Sequence, residues 1–139
     1  MKYWFFFKIR RKSEKIFMKK IKTLKKNYEF KNVLSKGKFY IGKYIIVYVK
    51  DNNKKENFIG IAVNTKIGKA VKRNRIKRVI RESYRINKEK IKKGKDIVFL
   101  WNKNAKINDA NFYNINKELL EIFDKANMVW NEKNINIYY

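Results

Sequence analysis

Lys69-Ala70-Val71-Lys72-Arg73-Asn74-Arg75-Ile76-Lys77-Arg78-Val79-Ile80-Arg81-Glu82-Ser83-Tyr84-Arg85 is the stretch on which the fold turns. Its apolar residues keep a helical period: Ala70, Ile76, Ile80 and Tyr84 make one stripe, which Val79 widens. On another side Asn74, Arg78, Arg81 and Arg85 advance by four, three and four residues and form a single ridge, with Arg75 and Lys77 on its shoulders. Such a stripe must be buried against a neighbouring layer, and the flanking sequence supplies strands for it.

Downstream, Lys93-Gly94-Lys95 breaks the helix and Ile97-Val98-Phe99-Leu100-Trp101 reads as a strand. Asn108-Asp109 is positioned to cap a last helix carrying Phe112, Ile115, Leu119, Ile122 and Phe123. Upstream, Phe58-Ile59-Gly60-Ile61-Ala62-Val63 reads as a strand, and Asp51-Asn52-Asn53-Lys54-Lys55 as a hairpin loop before it. Tyr44-Ile45-Ile46-Val47-Tyr48-Val49 has the composition of a strand buried on both faces, and Gly42 separates it from Phe39-Tyr40-Ile41. In 25–34, Tyr28, Phe30, Val33 and Leu34 fit one side of a short helix, with Asn27 as its N-cap and Gly37 as its stop. The expected order is α-β-β-β-α-β-α, a single-domain α+β sandwich with helices packed on a small, mostly antiparallel sheet. Its first three strands are expected to form an antiparallel meander.

One such domain fits a chain of 139 residues with 45 % apolar content. It is expected to span residues 21–126. Residues 1–20 mix aromatics and cations without a period; they read as an N-terminal extension, as sequence upstream of a start at Met18, or as a membrane-surface anchor. Residues 127–139 read as a patternless tail. No apolar run approaches the roughly 18 residues of a membrane span, so the expectation is a cytoplasmic protein.

Lys and Arg total 37 against 12 Asp and Glu, a formal charge of +25. So many like charges repel within a compact fold unless a polyanion neutralises part of them, which points to nucleic acid. The chain contains no Cys and no His, which excludes disulfides, thiolate or imidazole metal sites, a Cys nucleophile and a His general base. Asp51, Asp96, Asp109 and Asp124 are scattered singly, so a stand-alone nuclease lacks its convergent carboxylates. Lys dominates almost everywhere, yet five of the seven Arg (Arg73, Arg75, Arg78, Arg81 and Arg85) fall in the quoted helix. Codon preference for Lys cannot produce that clustering. Planar guanidinium forks donate paired hydrogen bonds to phosphate oxygens. An ordinary solvated basic face would interleave Glu at i,i+4 spacing to relieve repulsion, and only Glu82 occurs.

Ala70-x-x-Arg73-Asn74-Arg75-Ile76-Lys77-Arg78-x-x-Arg81 resembles the hallmark of the bacterial ribonuclease P protein family. Leu24-Lys25-Lys26-Asn27-Tyr28-Glu29-Phe30-Lys31-Asn32-Val33-Leu34 resembles that family's first helix, and Lys36-Gly37 its exit. Ile59-Gly60-Ile61-Ala62-Val63 with Lys66-Ile67-Gly68 resembles its third strand and the turn into the basic helix. Two positions depart from the pattern. Asn64-Thr65 stands where the family usually has Ser-Lys, removing one cation, and Leu34 occupies a site often held by a second Phe.

The resemblance implies a protein subunit of ribonuclease P that assists removal of the 5′ leader from precursor tRNA. Arg73, Asn74, Arg75, Lys77, Arg78 and Arg81, with Arg85 and Lys66, would contact RNA. Phe30, Leu34, Ile46 and Tyr48 would line a cleft for the single-stranded leader, where aromatic faces can stack on any base. Cleavage would come from the RNA subunit with Mg²⁺ bound mainly there; the protein would supply no catalytic residue, no metal ligand and no small-molecule site. The resemblance further implies a left-handed β-α-β crossover, against the usual rule. The competing reading is a basic ribosomal RNA-binding protein.

Overall fold

The computed structural model describes residues 21–130. Strand β1 (Lys22–Thr23) leads into helix α1 (Asn27–Lys36), strands β2 (Lys38–Ile41), β3 (Ile45–Asp51) and β4 (Phe58–Ala62), helix α2 (Ala70–Asn87), strand β5 (Lys95–Trp101) and helix α3 (Phe112–Lys125). Short 3₁₀ turns lie at Thr65–Ile67, Lys88–Lys90 and Ile107–Asp109. Apart from the two-residue β1, the order is the expected α-β-β-β-α-β-α.

The expected meander is not formed. The strands lie in the order β1-β4-β5-β3-β2, with β2–β3 and β3–β5 antiparallel and β1–β4 and β4–β5 parallel. Most of the residue pairings are antiparallel, as expected, and the parallel ones are confined to β4 with its neighbours β1 and β5. β5 takes the centre because it is apolar on both faces: Ile97, Val98 and Phe99 are all fully buried. Residues 51–55, read as a hairpin loop, instead belong to the passage from β3 to β4 that strides past the start of β5. Asn52 ties that passage down, its N–H donating to Gly94 O (3.0 Å) and its side-chain amide to Asp96 Oδ1 (3.0 Å) and Glu56 O (3.1 Å). β4 and β5 are thus parallel neighbours joined through α2.

One sheet face carries Ile45, Val47, Ile59, Ile97, Phe99 and Trp101 into the main core, where α2 contributes Ile76, Ile80 and Tyr84. α3 adds Ile115, Leu119, Ile122 and Phe123 to the same core. Tyr84, Phe99 and Phe123 stack edge-on in sequence, each centroid pair 6.0 Å apart. Burial pushes the Tyr84 phenol above its ordinary pKa, so it stays neutral well into the alkaline range. The core continues beyond residue 126: Met128 is buried, Lys92 N–H donates to its carbonyl (2.7 Å), and Ile91 bridges to Val129. Residues 1–20 and the rest of the tail lie outside the described residues.

The opposite face is covered only in part, by the ten-residue α1. Val33 of α1 is fully buried there, and the Phe30 ring lies on β4 where Gly60 offers no side chain. A Cβ at Gly60 would stand 2.8 Å from the Phe30 ring. Hence β3 is not buried on both faces: Ile45 and Val47 are buried, whereas Ile46 and Tyr48 remain half-exposed. Gly60→Ala is expected to cost about 1–3 kcal/mol, the usual penalty of overpacking. The same change in a Phe30→Ala background is expected to cost almost nothing, and paired denaturant titrations measure both.

Two helix starts differ from expectation. The N-cap of α1 is Lys26, with no side-chain cap, and Asn27 is already helical. α3 is capped by Asn111, whose side chain accepts from Asn114 N–H (2.9 Å); Asn108 and Asp109 belong to the preceding 3₁₀ turn. The expected cap of α1 lies one residue inside the helix, and that of α3 two to three residues before the true cap. Among the described residues no helix is long and apolar enough to cross a membrane.

Candidate nucleic-acid interface

The basic helix is held at its start by a short, well-bonded turn. The Asn64 side chain accepts from Lys66 N–H (2.9 Å), and Ile67 N–H donates to Asn64 O (3.0 Å), closing the 3₁₀ turn. Asn64 therefore performs the local turn chemistry open to a Ser at this place, although Thr65 leaves the cation missing. Arg73 reaches back and donates from Nη1 to Gly68 O (2.6 Å), with a longer approach to Thr65 O (3.4 Å). Part of the Arg73 fork is thus engaged in clamping the turn to α2.

Burial of Ile76, Ile80 and Tyr84 fixes the rotation of α2 and turns the ridge outward. Asn74, Arg75, Arg78 and Arg81 are exposed, and Lys77 is half-buried on the shoulder. Arg85 donates from Nη1 to Glu82 (2.5 Å), a partly solvated i,i+3 pair that occupies one of its five donors. Lys66 is exposed on the turn itself. Along Ala70–Asn87 seven cations stand against the one carboxylate of Glu82, which leaves this helix strongly positive.

The second surface lies on the other side of the sheet, beside α1. Strand register places Phe39, Tyr48, Val98 and Gly60 in one row and Ile41, Ile46, Leu100 and Ala62 in the next, all on the α1 face. Val98 is buried beneath α1, while Ile46, Tyr48, Leu100 and Ala62 are half-buried. Phe30 and Leu34, one turn apart on α1, are also half-buried, so the four expected cleft residues are all partly accessible. Phe30 differs from the others in being seated on Gly60.

Two residues that the sequence reading missed extend this strip to the sheet edge. Phe39 is 59 % exposed and Ile41 67 % exposed, and the Phe39 ring lies 5.8 Å from that of Tyr48. The signal was present, since Phe39 and Ile41 alternate with Lys38 and Tyr40, but their face depends on the β2–β3 register. The strip ends at Ala62, two residues before Asn64, so the Lys66 turn joins this α1-side strip to the start of the basic ridge.

Lys95 hydrogen-bonds and attracts the Asp51 carboxylate, holding it below its ordinary pKa, at the far ends of β3 and β5. Among the described residues no group of three or more Asp and Glu is placed to hold a metal ion.

The family model for ribonuclease P matches residues 18–127. The chain is 39 % identical over 112 residues to the ribonuclease P protein component of Alkaliphilus oremlandii (strain OhILAs), covering 81 % of this chain and 96 % of that protein. It is 40 % identical over 108 residues to the ribonuclease P protein component of Clostridioides difficile (strain 630), covering 77 % and 93 % respectively. Its structure is similar to that of the Staphylococcus aureus RNase P protein, with a TM-score of 0.70, 32 % identity, and coverage of 80 % of this chain and all (100 %) of that one.

Proposed function

The chain belongs to the ribonuclease P protein family, and from that membership we propose that it grips the RNA subunit along α2 and the 5′ leader of precursor tRNA along the α1-side strip. As a ribonuclease P protein component it takes part in tRNA 5′ processing as part of an endoribonuclease. The observation that carries the division into two surfaces is the outward ridge of Asn74, Arg75, Arg78 and Arg81 on a helix whose other side is locked in the core.

Guanidinium forks on that ridge bind phosphate oxygens in pairs, which suits a structured RNA backbone. Lys77, Arg85 and Lys66 add charge around them, and Arg73 acts mainly by holding the turn. On the other face, Tyr48, Ile46, Leu34 and the edge of Phe30 offer an apolar, part-aromatic surface to unstacked bases. Such a surface tolerates any leader sequence because every base has a π-face. The Mg²⁺ and the bond cleavage are assigned to the RNA subunit, whose phosphates supply the oxygen ligands that Mg²⁺ prefers. The setting is the cytoplasm.

Reconstitution tests this directly. Purified protein added to a bacterial ribonuclease P RNA and precursor tRNA at low Mg²⁺ is expected to restore 5′ cleavage. Tyr48→Ala, at a half-exposed position, is expected to leave affinity for the RNA subunit unchanged. Its preference for precursor over mature tRNA should fall by about 1–3 kcal/mol for each stacked base lost. If that variant melts like the parent and still favours leader-bearing tRNA to the same degree, the strip is not the leader site.

A further inference from the structure

The Gly60–Val98 row, over which Phe30 sits, divides the α1 face of the sheet. Ala62 and Leu100 lie on one side of it. On the other lies the row formed by Phe58 and Asp96, paired in register two residues away and therefore on the same face. There β1, the first turn of α1 and the loop before β4 surround a cleft of about 730 Å³, a volume in the range of small-ligand sites. Nothing in the two-surface reading uses it.

Its lining combines three chemistries. Lys25, Lys26 and Lys54 bring ammonium groups, and Lys22 adds a fourth that pairs with Glu56 (3.2 Å). Tyr28 and Phe58 bring aromatic rings; Tyr28 is 65 % exposed. Each ring has an ammonium beside it, with Lys26 Nζ 5.6 Å from the Tyr28 centroid and Lys54 Nζ 4.6 Å from that of Phe58. A nucleotide offers the matching pair, a planar base with a phosphate a few ångströms from it. Glu29 and Asp96 also line it, beside Ile21, Thr23 and Leu24, and carboxylates at such a site accept from the exocyclic amines of bases. They also make it a poor site for a bare anion.

We propose that this cleft is a second single-stranded RNA contact, which holds a nucleotide by stacking its base on Tyr28 or Phe58 and its phosphates on Lys25, Lys26 and Lys54. The proposal rests on the ribonuclease P reading only for the source of the RNA, which is either the distal leader or an unpaired segment of the RNA subunit.

The test places photoreactive p-benzoylphenylalanine at position 28, and separately at position 48, in the full chain assembled with a ribonuclease P RNA and end-labelled precursor tRNA. A crosslink from position 28 to the leader, or to the RNA subunit, is the expected result and identifies the source. Absence of any RNA crosslink from position 28, or a crosslink only to the protein's own chain, overturns the proposal. Position 48 reports independently on the Tyr48 strip, so the two readings fail separately. In a second arm, Tyr28→Ala combined with Lys54→Ala is expected to weaken affinity for the crosslinked RNA roughly tenfold. Both side chains are exposed, so the fold is retained, and parent-like affinity in this variant overturns the proposal as well.

Discussion

Replacing Arg78 and Arg81 together with alanine is expected to weaken binding to the RNA subunit by about 2–4 kcal/mol, roughly 30- to 1000-fold, whether or not precursor tRNA is present. Both guanidiniums are exposed on the ridge and make no ion pair among the described residues, so the loss reports RNA contacts and not folding. The dependence of affinity on salt is expected to flatten by about one unit per phosphate contact removed. Filter binding across a salt series measures both quantities. Thermal stability is expected to change by less than about 0.5 kcal/mol, as for other surface positions. Arg73→Ala provides the contrast: it removes the bond to Gly68 O, so the turn carrying Lys66 loosens along with any loss of RNA contact. An Arg78/Arg81 double variant with parental affinity and parental salt slope would refute the ridge as the RNA-subunit surface.

Glu118→Ala is expected to destabilise the fold by about 2–4 kcal/mol, read as a lowered denaturant midpoint at unchanged m-value. Glu118 lies on α3 within the buried stripe and is only 8 % exposed. Its carboxylate accepts from Tyr44 N–H (2.9 and 3.1 Å) and from Ile45 N–H (2.7 Å), closing the turn between β2 and β3. Truncation would leave the buried Ile45 amide and the part-buried Tyr44 amide without this acceptor, and an unmet buried donor costs more than its bond is worth when made. Glu118→Gln keeps one acceptor oxygen and is expected to lose about half as much. Gly42 permits the arrangement, since a Cβ there would stand 2.0 Å from Glu118 Oε1. Gly42→Ala and Glu118→Ala are therefore expected to be strongly non-additive. Because the turn positions Phe39 and Ile41 opposite Tyr48 and Ile46, a folded Glu118 variant is also expected to discriminate precursor from mature tRNA less well. An unchanged midpoint in Glu118→Ala would show that water replaces the carboxylate at no cost.

Element identity was legible in the chain because it is a local property. The stripe of Ile76, Ile80 and Tyr84 specifies a helix by period, and the β-branched run of 45–49 specifies a strand by composition. The concentration of Arg in 73–85 against a Lys background was likewise visible, and it led to the family that the matches to whole proteins establish. Glu118 left a fainter trace, a carboxylate three residues after Ile115 and four before Ile122, inside the apolar stripe of its helix. Its acceptor role could not be read from that, since its donors lie 73 and 74 residues away.

Strand order was decided by tertiary packing. Residues 51–55 carry the signals of a hairpin, and the local sequence does not register that β5, much later in the chain, is the strand with both faces apolar and so displaces β4 from β3. The same applies to the two surfaces. Which guanidinium is spent on a turn and which is left for RNA depends on carbonyls brought near by the fold, as for Arg73 and Gly68 O. How much of the sheet stays open depends on a ten-residue helix seated on Gly60, too short to cover the rows on either side of it. By itself, then, the sequence determined the helices, the strands and the charge of the basic face, because periodicity and composition act over one or two turns. Only the tertiary structure decided pairing, cover and the free valence of each cation, because those follow from competition among distant segments for the same buried surface.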